Sequence, residues 1–358
     1  MNRIGVKAHQ SAIGIELDTH EFRAVQLSRS GDQHHALAWA VFPRLNQHDE
    51  SRSDTQGAAL DAHELNWAKS ILSRRGFRGN LISCSPRPRD CTQHVLELPP
   101  PDSGAPLETL ARVEVARARK CEQSAFEFGY WPLPHRGRNH ESMAVACPTN
   151  VIDNIITTYN SCDMQVAGID LPELAIMRGV SHTSSLSTPT EQPEIDVVLQ
   201  INWNSSLAIV TLGKRIVYVR RIALGAKEVW ELARTRYNLS QVSAAALLER
   251  SETTEENEPV QKVRTACWSA LSKELIAEID VAITYVSHSF RTAPLGRVIM
   301  CGYGVMNQTL LNRLDQVLGL PAVRSEPDAL LNAMKPEHDP ALPARLTYAY
   351  GLAARFDS

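Results

Sequence analysis

The chain has 358 residues, 43% hydrophobic and 22% charged, which suits roughly two to three domains around a large buried core and excludes a disordered or low-complexity class. Lys plus Arg total 37 against 40 Asp plus Glu, a net charge of -3, so the basic surplus expected of a nucleic-acid binder is missing. No segment reaches the roughly 20 apolar residues of a membrane-spanning helix, and Met1 to Ser11 lacks the apolar run of a secretory signal; the expectation is a globular cytoplasmic protein with no nucleic-acid partner.

From the N-terminus, Ile13-Gly14-Ile15-Glu16-Leu17 reads as a strand, Asp18 to Glu21 as a polar turn and Phe22 to Leu27 as the returning strand. A turn at Ser28 to Gln33 leads to a third strand, Ala36 to Phe42, with His34-His35 assigned to the turn. Leu60, Trp67, Ala68, Ile71 and Leu72 form a helical stripe ending at Gly76, which suits a left-handed C-terminal cap. Strands are expected at Cys91–Leu98, Phe126–Trp131, Ser142–Cys147 and Met164–Ile169, with helices at Leu107–Cys121 and after Pro148, where Val151, Ile152, Ile155, Ile156, Tyr159 and Cys162 keep helical spacing. This is a small α+β module. Beyond the polar stretch Ser181–Glu194, a second meander repeats the first: Asp196–Ile201, Leu207–Leu212 and Ile216–Ile222. Helices follow at Lys227–Tyr237, Gln241–Arg250 and Val263–Phe290. Then Arg297–Cys301 passes through Gly302-Tyr303-Gly304 into a helix over Val305–Leu318, a junction where backbone N–H groups can face a ligand.

The seven cysteines are scattered without C-x-x-C spacing and read as reduced core thiols, and the twelve histidines form no ligand pair, so no metal is assigned. Polar or Pro- and Ser-rich stretches at Asn46–Gln56, Pro99–Pro106, Ser251–Pro259 and Lys335–Pro343 separate the remaining blocks.

Several blocks, in order and spacing, carry a resemblance. They are Ile13 to Asp18 followed by Arg23-Ala24-Val25-Gln26-Leu27, and Val95-Leu96-Glu97-Leu98-Pro99-Pro100. Farther on come Ala144 to Pro148 with Val151, Ile152 and Asp153, Gly168 to Ala175, Leu318-Gly319-Leu320-Pro321, and Tyr348 to Ala353. The chain resembles the PilM family of type IV pilus assembly proteins, relatives of FtsA, almost end to end. The resemblance implies an α/β, actin-like (ribonuclease H-like) two-lobed fold with an inserted FtsA-type α+β subdomain. The implied division is 11–80 with 170–185 for the first lobe, 81–169 for the inserted subdomain, 194–226 with 294–358 for the second lobe, and 227–293 for its helical insert.

Actin-like proteins hold ATP with two Asp-x-Gly turns and a glycine loop, because glycine lets amides reach phosphate oxygens and the aspartates position magnesium. Here the first turn becomes Glu16-Leu17-Asp18, with Glu21 adding charge. The second becomes Gln200-Ile201-Asn202 followed by Trp203, and the third keeps only Gly302 and Gly304 around Tyr303. Thr19, Arg23, Gly302 and Gly304 are therefore candidates for a vestigial nucleotide site, Thr19 and Arg23 matching the family's hydroxyl and basic positions and Arg23 reading equally as a solvated strand charge. ATP with magnesium is disfavoured, no catalytic residue is assigned, and no cofactor is expected.

By resemblance the chain is a non-enzymatic adaptor at the cytoplasmic face of the inner membrane, without direct insertion. It would bind the N-terminal peptide of a PilN-like single-pass protein and connect to motor or platform proteins of a pilus or related secretion assembly. The peptide groove is expected between 81–98 and 126–169, with Tyr130 and Trp131 as candidate anchors, although aromatics at such spacing are more often core residues. The alternatives are an actin-fold ATPase or kinase, in which Glu16 or Asp18 would act as base, and an FtsA-like filament protein anchored by a C-terminal amphipathic helix. Arg345–Phe356 lacks a basic face and reads as packed.

Overall fold

A computed structural model describes residues 9–31, 33–45, 61–134, 140–186, 192–249, 258–305, 307–335, 337–340 and 342–355. Its first strands are β1 (His9–Gln10), β2 (Ile13–Leu17), β3 (Glu21–Ser30) and β4 (Gln33–Pro43). They are followed by α1 (Ala62–Arg74), β5 (Leu81–Cys84), β6 (Thr92–Glu97), α2 (Leu107–Arg119), β7 (Phe126–Pro132), β8 (Glu141–Pro148), α3 (Thr149–Ser161), β9 (Gln165–Ile169) and α4 (Pro172–Ser181). The second half contains β10 (Ile195–Ile201), β11 (Ser206–Leu212), β12 (Arg215–Ile222), α5 (Ala226–Tyr237), α6 (Gln241–Glu249), α7 (Glu258–Ser289) and β13 (Leu295–Gly302). It closes with α8 (Gln308–Leu318), β14 (Ala322–Arg324), α9 (Asp328–Ala333), α10 (Leu342–Arg345) and α11 (Thr347–Ala353).

The two meanders expand into two sheets with one wiring. The first runs β4-β3-β2-β5-β9, with β1 also on β3, and the second runs β12-β11-β10-β13-β14. In each, three antiparallel strands are extended by two parallel ones, Ile13 pairing with Ile82 and Ile201 with Gly302. A shared five-strand order is far more specific than two similar hairpins, and it makes the internal repeat a property of the fold. A third sheet, β6-β8-β7, belongs to the inserted module and carries α2 on one face.

Alternation along the strands places the helices. Ile195, Val197, Leu199 and Ile201 face the core made with α5 to α8, while Val198 points to the opposite face and packs with Ile176 and Leu352. Helices α4 and α11 thus lie between the two sheets. Their contact is close enough that a Cβ at Gly351 would stand 1.8 Å from the Ala175 carbonyl oxygen, and one at Gly179 2.2 Å from that of Thr347.

Four expectations change. Leu81–Cys84 and Gln165–Ile169, expected at the two ends of the inserted module 81–169, are strands of the first sheet, and Tyr159 and Cys162 at the end of α3 lie in that sheet's core. The segment 342–353 packs on β2, β3 and α4, with Leu346, Ala349, Tyr350 and Ala353 in the core of the first sheet, so it does not belong with the second lobe alone. The helices at 227–293 are one layer of the second sheet's own core rather than a separate insert. His34 and His35 lie within β4, and the His34 ring meets the His182 ring at a tilt with centroids 4.5 Å apart.

Candidate functional site at the lobe junction

The hairpin turn after β2 and the turn after β10 meet across the lobes. Trp203 N donates to Asp18 Oδ2 at 2.9 Å, Asn204 Nδ2 donates to Thr19 Oγ1 at 3.2 Å, and the rings of His20 and Trp203 stack at 4.0 Å. Behind them lies a buried charge cluster. Glu16 sits directly opposite Arg23 in the β2/β3 ladder, and Arg23 Nη1 donates to Glu16 Oε1 at 2.6 Å while Nε donates to Glu21 Oε2 at 3.0 Å. Arg345, arriving from α10, donates to Glu21 Oε1. Gln200 Nε2 reaches across from β10 to Glu16 Oε1 at 3.2 Å and to Asn202 Oδ1 at 3.0 Å. The Tyr303 ring lies 4.7 Å from the Arg23 guanidinium carbon and 5.3 Å from that of Arg345, closing the floor.

Three carboxylates share two guanidiniums here, and their acidity is set by burial working against the arginines. Burial, opposed by Arg23, raises Glu16 to about 7. Burial also raises Asp18, against Arg23 and the amides of Thr19 and Trp203. Burial works the same way on Glu21, but Arg345 and Arg23 together outweigh it and leave that carboxyl below its ordinary range. Glu16 Oε2, Gln200 Oε1 and Tyr303 OH are buried with no hydrogen-bond partner among the described residues.

The four sequence candidates converge on this junction, but each is engaged by protein. Arg23 is fully buried, not a solvated strand charge, because three carboxylates and an aromatic ring surround it. Thr19 is held by Asn204. Gly302 and Gly304 have φ of +82° and +81°. A Cβ on Gly302 would meet the Ile201 carbonyl oxygen at 2.2 Å, and one on Gly304 would meet Leu310 and Trp268. Their freedom serves close packing instead of an open anion cradle. The expected helix over 305–318 starts only at Gln308, because Asn307 Oδ1 accepts Leu310 N at 2.8 Å and takes the N-terminal donor a phosphate would use.

Glu16 and Asp18 line the space between the turns, Gln200 and Asn202 bring no anionic side chain to it, and its volume is about 120 Å³ against roughly 300–1,000 Å³ for small-molecule sites. Sequence reading missed Arg345, and it named Gln200 and Tyr303 only as departures from the phosphate turns, not as partners of the charge cluster. An arginine inside the apolar run Leu342–Ala353 was the available signal, since such a charge is rarely buried unpaired.

A second cavity, about 90 Å³, opens between the first sheet and α3. Ile15, Leu17 and Cys84 form one wall, Ile155 and Tyr159 the other, and Arg87 lies at its edge. Trp131 and Tyr130 are elsewhere. Trp131 Nε1 donates to the Ile216 carbonyl at 3.1 Å, joining the inserted sheet to β12, and Tyr130 packs on the α2 face.

Compared with known proteins, the chain matches no family model and no curated protein. Among solved structures it superposes on a chain of the PilM-PilN type IV pilus biogenesis complex with a TM-score of 0.72, at 17% identity, over 96% of this chain and 98% of that one. The chain has a PilM-like, actin-like fold. Weaker likenesses to this PilM-like fold are the ethanolamine utilization protein EutJ from Carboxydothermus hydrogenoformans (TM-score 0.49, 10% identity, 95% of this chain and 89% of that one) and the cytoplasmic domain of EpsL, an inner-membrane component of the type II secretion system of Vibrio cholerae (TM-score 0.36, 12% identity, 65% and 78%). Among the described residues no helix is long and apolar enough to cross a membrane, and no cluster of His, Cys, Asp and Glu could hold a metal ion.

Proposed function

We propose that this chain is a docking component of a type IV pilus or related secretion assembly. It binds the N-terminal peptide of a single-pass inner-membrane partner similar to PilN and is held at the cytoplasmic face of the membrane through it. The observation that carries this reading is the junction itself: Arg23 and Arg345, which could have met phosphate, are consumed by Glu16, Asp18 and Glu21. Thr19, Arg23, Gly302 and Gly304 are, on this reading, the vestige of a nucleotide site, and no chemistry is routed through it. A chain of the same fold was solved in a PilM-PilN complex, which supports a partner of that kind.

The cavity between β2, β5 and α3 is the docking place this reading selects, since an extended peptide can seat an apolar side chain between Leu17 and Ile155 and reach the polar rim. The test is pulldown of N-terminal cytoplasmic peptides of single-pass inner-membrane proteins from the source genome, with ATP turnover assayed on the same preparation. Saturable capture of one peptide and no turnover is the expected result. Capture of none, with measurable turnover, would replace the adaptor with an actin-fold ATPase.

A further inference from the structure

The inserted sheet brings together two of the scattered cysteines. In the β6/β8 register Thr92 faces Ala146, so the next step outward sets Cys91 opposite Cys147. Leu98 N donates to His140 O, which makes 98/140 a hydrogen-bonded pair. Pairs alternate along an antiparallel ladder, so 91/147, an odd number of steps away, is a non-hydrogen-bonded pair. Cys91 agrees, spending its backbone groups elsewhere: its N donates to Pro88 O at 3.3 Å, and its O accepts from Arg221 Nη1 at 2.7 Å. Such pairs place Cα atoms about 4.5 Å apart, inside the roughly 4.4–6.8 Å a disulfide spans. Both side chains are buried on one face of the sheet with Val145, and both are free thiols.

We propose that Cys91 and Cys147 form an oxidisable dithiol, which a low-molecular-weight disulfide converts into a cross-strand bond tying the Arg87–Asp90 turn to β8. The Cys147 thiolate attacks one sulfur of the external disulfide and expels the first thiolate, leaving a mixed disulfide. Cys91 then gives up its proton and attacks Cys147 Sγ, expelling the second. One S–S bond is broken and one formed, two electrons pass to the external disulfide, and two small thiols leave with the two protons. The order follows from the environment: contact with Cys91, helped by Arg119 and Arg87, lowers Cys147, while contact with Cys147 and burial raise Cys91. The turn so tied carries Arg87, which borders both the junction cavity and the cavity beside α3.

The experiment treats the native protein with oxidised glutathione, alkylates remaining thiols after denaturation, and maps peptides without reduction. The expected product is a Cys91–Cys147 cross-linked peptide, a mass lower by two hydrogens, and a melting temperature raised by a few degrees that dithiothreitol reverses. Cys121, the partly exposed thiol, serves as the reactivity control and should take only glutathione. Cys147→Ser should abolish the cross-link, and Cys91→Ser should trap glutathione on Cys147. If either variant fails to fold, the wild-type map decides alone. Glutathione on Cys121 with Cys91 and Cys147 both still alkylatable would overturn the proposal.

Discussion

Glu16 is more protonated in the folded protein than in the unfolded chain. Its carboxyl is raised from 4.5 to about 7 by burial, so its contribution to stability is fully present below 4.5 and is lost as pH rises through about 7. Integrated over that window the effect is on the order of a few kcal/mol. Glu16→Gln should flatten the pH dependence of thermal melting between those values and raise the melting temperature at pH 8 relative to wild type. A variant whose melting follows the wild-type pH curve would show that Glu16 is ionised throughout. Arg345 behaves oppositely, because it is one of two cations holding the ionised Glu21. Arg345→Met leaves a buried carboxylate with half its compensation, and a loss of about 3–5 kcal/mol is expected in denaturant unfolding.

At the scale of elements, the contact between α4 and α11 holds the two sheets at their spacing. Backbone approaches side-chain-free backbone there, since a Cβ on Gly351 would overlap the Ala175 carbonyl. No flexible group can give way. Gly351→Ala should therefore cost about 1–3 kcal/mol or more by overpacking, read as a drop in melting temperature. A second joint runs from the inserted sheet to β12, where Trp131 bonds the Ile216 carbonyl and Arg221 reaches both Cys91 O and Glu173. The module is thus fixed to both lobes, and its turn at 87–90 borders the two cavities rather than hanging free.

For the whole molecule, a nucleotide between the lobes would have to displace protein groups that bridge them. A ligand at a hundred times its Kd stabilises by about 2.7 kcal/mol, so millimolar Mg-ATP should leave the melting temperature unchanged. A clear upward shift would mean that the charge cluster opens. The groove reading makes a separate prediction: Asn154 is exposed at the rim of the cavity beside α3. Asn154→Trp should abolish peptide capture in the pulldown while melting stays at the wild-type value.

Local pattern alone determined a good deal. The hairpin around Asp18, the turn between β11 and β12, the apolar stripe of α3 behind Pro148 and the left-handed glycine at Gly76 all arise from interactions within a dozen residues, where alternation, turn chemistry and helical spacing decide the structure. The substitutions at the phosphate turns were equally visible, because a residue type excludes chemistry wherever it lies. What the sequence could not settle was partnership over long separations. The short run Leu81–Cys84 becomes a strand only because β2 and β9 lie beside it. Arg23 reads as a surface charge until Arg345, more than three hundred residues later, supplies the second cation its carboxylates need, and two unremarkable cysteines become neighbours only through the β6/β8 register. Such contacts depend on which elements the tertiary fold stacks together, and the free energy of burying a charge or aligning two thiols has no signature in the residues flanking either partner.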